Sequence, residues 1–85
     1  MSRLNAQSLQ KFWVDVTPTG TINGSNLVFT LAQTPVENDA VDVFLDGLKQ
    51  TAGTDYSVSG VTITFTTAPA IGQILRVDYI QARGE

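Results

Sequence analysis

The sequence predicts an all-β domain, a small antiparallel β-sandwich of about six to seven strands with a short N-terminal arm or helix. Three observations carry that prediction. The run from Val41 to Phe65 sets two strand-like segments around Asp46-Gly47, the residue types of a two-residue hairpin, because Gly47 takes positive φ without a Cβ clash. After a second reversal at Ser59-Gly60, Val61, Ile63 and Phe65 alternate with Thr62, Thr64 and Thr66, so one pleat face is apolar and the other hydroxylated. Short strands then recur at regular spacing with turn signals between, a pattern shared by sandwiches and small barrels, and no convincing helix longer than two turns interrupts them.

Along the chain, residues 1–11 read as an arm or a single short helix. Leu4 and Leu9 are too few apolar positions to define a helical stripe, and they either dock on a neighbouring subunit or belong to an untethered terminus. Phe12 to Val16 is the first strand, ended by Pro18 and Gly20. Asn23-Gly24 is the strongest turn dipeptide, since both residues tolerate the left-handed region. Leu27 to Ala32 follows as a strand with Leu27, Phe29 and Leu31 on one face. Pro35 breaks the pattern, and Glu37-Asn38-Asp39 is a polar loop. Val41, Val43 and Leu45 then alternate with Asp42, Phe44 and Asp46, which puts Phe44 opposite the main apolar face, where it caps the core edge or meets a partner. Residues 68–72 form a loop, Ile74 to Ile80 is the last strand with Leu75, Val77 and Tyr79 inward, and 81–85 is a polar tail. One core between two sheets, over residues 12–80, is expected.

Composition removes several function classes. Eighty-five residues make one domain, of a size that buries only about 60 to 65 per cent of its unfolded surface, so stability is modest unless subunits associate. The absence of cysteine and histidine excludes disulfides, the commonest zinc ligands and imidazole-based nucleophilic catalysis. A net charge of −3, with Arg3, Lys11, Lys49, Arg76 and Arg83 scattered, offers no cationic field for nucleic acid. Only 15% of residues are charged, against about a quarter in typical domains, and such neutral polar surfaces desolvate cheaply against other subunits. An ordinary soluble domain with few charges has the same composition. No stretch is apolar enough for a membrane span or a signal-peptide core, so synthesis and assembly in a cytoplasm are expected.

Candidate chemistry is sparse. Glu37, Asp39, Asp42 and Asp46 form the densest acidic cluster, but their spacing departs from the calcium-loop pattern, and a solvated loop with a hairpin tip explains them. Asp55 suits a hydrogen bond to the backbone of its own turn. A glycosidase carboxylate pair needs a cleft that so small a core hardly encloses. The Thr62, Thr64, Thr66 row repeats at roughly 6.6 to 6.8 Å and suits ordered water or sugar, although one row is not an array and threonine is common on exposed strand faces. Phe12, Trp13, Phe44, Tyr56 and Tyr79 either form a sugar platform or pack the core.

The segments 18–26, Phe29-Thr30-Leu31, 43–47, 53–60, 62–65, Ala68-Pro69 and 75–79 together resemble a small β-sandwich module of tailed-bacteriophage virion proteins, found in tail fibres, baseplate and neck appendages and capsid-associated proteins. The likeness spans about residues 12–80. In larger fibres the module is joined to other domains, whereas here it stands alone. The resemblance implies a structural, non-enzymatic role with no catalytic, cofactor or metal residues to carry over. It implies a virion subunit made and assembled in the host bacterial cytoplasm, bound in many copies to capsid, neck or tail proteins. A homo-oligomer, such as a trimer or hexamer, fits repeated lattice sites. Contacts are expected at Leu4, Leu9, Phe44, Thr62, Thr64 and Thr66. The alternative is a receptor- or glycan-binding module of a fibre or spike.

Overall fold

The computed structural model describes residues 11–82. The expectations for Leu4 and Leu9 lie outside them. Seven strands are present among the described residues: β1 (Phe12–Val16), β2 (Val28–Thr30), β3 (Val41–Leu45), β4 (Leu48–Lys49), β5 (Tyr56–Ser59), β6 (Thr62–Phe65) and β7 (Leu75–Ile80). They form two sheets, β1-β7-β3-β4 and β2-β6-β5, with every pair antiparallel. The stretch read as a polar loop holds one 3-10 turn, Asn38–Ala40, directly before β3.

The period-2 alternation does what it predicts. Phe29, Leu31, Tyr56, Ile63 and Phe65 from the three-stranded sheet and its flanks face Val41, Val43, Leu75, Val77 and Tyr79 from the four-stranded sheet, and all ten are buried. Phe29 and Phe65 meet edge to face at 5.6 Å between centroids, and the Tyr56 hydroxyl crosses the core to donate to the Val41 carbonyl at 2.9 Å. Leu27, expected on the same face as Phe29 and Leu31, is 39% exposed immediately before β2, although its carbonyl accepts from the Phe65 amide at 2.8 Å.

The hairpin at Asp46-Gly47 closes with φ of 53° and 82°, the double positive-φ geometry of a type I′ turn that matches strand twist. Asp46 also does something its hairpin position did not announce. Its carboxylate accepts from the Ile74 amide at 2.8 Å, and its own amide donates to the Ile74 carbonyl at 2.8 Å, which ties the tip of β3–β4 to the entry of β7.

The chain read as a tail is tied in at its start. Gln81 donates its amide to Lys11, Ala82 donates to Thr34, and the Gln81 side chain accepts from the Trp13 indole at 3.0 Å. In β1 the register slips between Trp13 and Val16, so Val14 and Asp15 share the span that Asp78 occupies alone on β7. Asp15 sits at φ 60°. This is a β-bulge on an edge strand, a feature that discourages further strand pairing there.

Candidate functional site

The two outward sheet faces carry the open chemistry, and pleating decides their composition. In the four-stranded sheet, β7 turns Leu75, Val77 and Tyr79 inward, which leaves Arg76, Asp78 and Ile80 outward. Cross-strand register then sets Asp42 opposite Asp78, Phe44 opposite Arg76, and Phe12 opposite Ile80. Phe12 and Val14 are each 68% exposed, an unusual position for large apolar side chains on adjacent outward sites.

Two shallow grooves cross this face and meet at Val14 and Asp78. One, of about 280 Å³, runs past Phe12, Ile80 and the carboxylates of Asp39 and Asp42. The other, of about 350 Å³, lies between Val14, Phe44 and Arg76 beside Asp15. Among the described residues, four acidic side chains line the grooves, together with one cation, Arg76. Arg76 is engaged by Asp15 at 3.8 Å and by the Thr17 hydroxyl at 3.0 Å, and Lys49 reaches Asp42 at 3.7 Å. These exposed pairs contribute little to stability but leave the face net negative. Phe44 stands on this outer side, as its alternation predicts.

The outward face of the three-stranded sheet is neutral. Thr62 faces Thr30 on one side and Ser59 on the other, and Thr64 faces Val28 and Ser57. Two hydroxylated rows thus lie side by side, about 4.8 Å between strands and about 6.7 Å along them. The single threonine row legible in the sequence becomes a small array because β2 and β5 place serine and threonine in register with it. Thr66 stands apart: it follows β6 and donates its hydroxyl to the Thr54 carbonyl at 2.8 Å.

The remaining polar candidates hold the chain's own backbone. Asp55 accepts from the Thr51 amide at 2.8 Å, as its turn position suggests. Asn23 accepts from the Ser25 and Asn26 amides at 2.8 Å, and Asn26 donates to the Thr21 and Val28 carbonyls. A cleft of about 240 Å³ between the sheets is rimmed by Gln50, Asp55, Thr66 and Gln73, yet each makes a local bond that closes a loop. Among the described residues, no three acidic side chains converge as a cation cage, and Asp42 and Asp46 separate to the outer face and the hairpin tip.

The aromatic set divides. Tyr56 and Tyr79 belong to the core, Trp13 stacks on Tyr79 at 6.4 Å with the Lys11 ammonium over the indole at 5.0 Å, and Phe12 and Phe44 face outward. Burial, then the nearby Asp42 charge, pushes the Tyr56 phenol above its ordinary 10.0. Burial does the same to Tyr79, whose hydroxyl accepts from the Gln33 amide. Neither phenol is poised as an acid or base near neutral pH. Comparison of the chain with protein-family models, with curated proteins and with solved structures finds no match.

Proposed function

We propose that this chain is a non-enzymatic structural subunit of a tailed-bacteriophage virion, carried in multiple copies on a capsid, neck or tail as a decoration, adaptor or fibre-attachment protein. One observation supports the reading most: polar loop side chains are spent on the chain's own backbone, whereas the outward sheet faces are open, one apolar with acidic rows and one hydroxylated. A catalytic centre concentrates its unspent polar groups in a concavity; an attachment subunit presents them on faces. The likeness of residues 12–80 to phage sandwich modules supplies the virion setting, and repeated lattice sites favour three- or six-fold clustering.

The test is particle composition. Virions from a host infected by the phage that encodes the chain are purified and digested for quantitative mass spectrometry, and the chain is expected at many copies per particle. Its absence from particles, together with failure of the purified chain to bind them, would overturn the reading. A glycan-binding fibre module is the second reading, favoured by the exposed Phe12 ring beside Asp39 and Asp42. Binding on a glycan array that Phe12→Ala abolishes would select it.

A further inference from the structure

We propose that the outer face of the four-stranded sheet receives residues 1–10 of a second copy of this chain, with Arg3 placed between Asp42 and Asp78. The inference rests on the reading of the chain as a self-associating subunit and names the surface and segment through which copies join.

Charge is the first argument. Asp42 and Asp78 are direct cross-strand partners, and like charges in that position repel, a repulsion only partly offset where Lys49 reaches one oxygen of Asp42 at 3.7 Å and the Asp15 amide donates to one oxygen of Asp78 at 2.7 Å. With Asp15 and Asp39 they make the face negative. Residues 1–10 contain one charged side chain, Arg3, and no acid. A guanidinium presents a planar fork of donors that bridges two carboxylates, turning a local repulsion into paired charge-assisted bonds. The same segment carries Leu4 and Leu9, apolar side chains suited to grooves bordered by Phe12, Val14, Phe44 and Ile80.

Area and length are the second argument. Four strands of two to six residues, about 4.8 Å apart, present roughly 300 Å² in projection, well short of the about 800 Å² that each partner of a stable complex buries. Face-to-face contact of two sheets therefore falls short, and added chain makes up the difference. Ten residues reach about 33 to 36 Å when extended, enough to cross the sheet and both grooves.

Direction selects a neighbour over the parent molecule. The Lys11 carbonyl is bonded to the Gln81 amide at 2.7 Å, so the chain enters β1 at one end of the sheet. Leu9, Gln10 and Lys11 are not turn-forming residue types, so the sequence supplies no tight reversal directly before β1 that would return the chain over its own face.

Sedimentation of the full chain against concentration tests this, with Arg3→Glu and Asp42→Lys made separately and their folding checked by thermal unfolding. Each variant alone is expected to associate at least tenfold more weakly than the parent. An equimolar mixture is expected to recover association, because the acidic arm of the Arg3→Glu chain meets the basic face of the Asp42→Lys chain, while the opposite arm and face keep their native charges. Leu9→Ser is expected to weaken association in the same way. A parent chain that stays monomeric, variants that associate as the parent does, or a mixture that fails to recover would each overturn the inference. A chain that proves monomeric yet is found in particles and binds them sinks this arm exchange and leaves the virion role standing.

Discussion

The carboxamide of Asn26 closes onto the backbone of Val28 from both sides: its Nδ2 donates to the Val28 carbonyl at 2.9 Å, and its Oδ1 accepts from the Val28 amide at 3.2 Å. Val28 opens β2, the outer strand of its sheet, and its amide and carbonyl point away from β6, whose bonds go to Leu27, Phe29 and Leu31. Two residues on, Thr30 is bonded to Thr19 in both directions, at 2.8 and 2.9 Å. A side chain and a passing loop therefore occupy the positions of a neighbouring strand and close an edge that would otherwise template strand addition. Asn26→Ala is expected to cost about 1 to 3 kcal/mol, from three lost hydrogen bonds, two to Val28 and one to the Thr21 carbonyl, and to speed exchange of the Val28 amide. Asn26→Asp keeps the acceptor and so retains more Val28 protection than Asn26→Ala. Equal protection in the two variants would remove this role for the side chain.

Gly20 lies against the ring of Phe29, where an added Cβ would overlap Cδ2 and stand 2.9 Å from Cε2, and its φ of 152° adds backbone strain for any other residue. Because Phe29 is fully buried at the core centre, the ring has little room to yield. Gly20→Ala is expected to destabilise by about 1 to 3 kcal/mol, measured by urea unfolding. In a Phe29→Leu background the additional penalty should shrink; an unchanged penalty would assign the effect to backbone strain alone.

Core and face should respond differently to truncation. Phe65 and Leu75 are buried on opposing sheets, so alanine at either is expected to cost about 2 to 5 kcal/mol, a large share of what a domain of this size has. Thr64 is exposed on the hydroxylated face, and Thr64→Ala should cost under about 0.5 kcal/mol in the isolated chain. A larger loss that appears only at concentrations where copies associate would place Thr64 in a contact between them.

Stability should fall in alkali. The Tyr56 and Tyr79 phenols are raised above 10.0 in the folded chain, so the unfolded chain loses these protons first. Above the unfolded value the unfolded state binds fewer protons than the native one, and unfolding free energy decreases as pH climbs through the folded values. Below that window the contribution is fully present. Thermal unfolding followed from about pH 8 to 11, an interval set about the ordinary tyrosine value, should show this decline. It should be shallower in Tyr56→Phe, which retains Tyr79. Parallel curves for the two proteins would rule out Tyr56 as a source.

Much of the architecture is legible in the sequence because strand pleating has a period of two and a tight turn restricts which residues it accepts. Val41-Val43, Ile63-Phe65 and Leu75-Val77-Tyr79 announce their buried faces by alternation, and Asp46-Gly47 announces its reversal by the positive φ it needs. Phe44 could be assigned to the outer side for the same reason. Neither face could be assembled from those rules. Asp42 and Asp78 are thirty-six positions apart, and Thr30 and Ser59 flank Thr62 only because β6 lies between β2 and β5. Asp46 and Asn26 read as turn formers, and their second tasks, holding Ile74 and sealing Val28, depend on what the folded chain brings beside them. Local residue order decides which way each side chain points. Which side chains stand next to one another across strands is decided by non-local pairing and register, and those are set only when the two layers close on a common core.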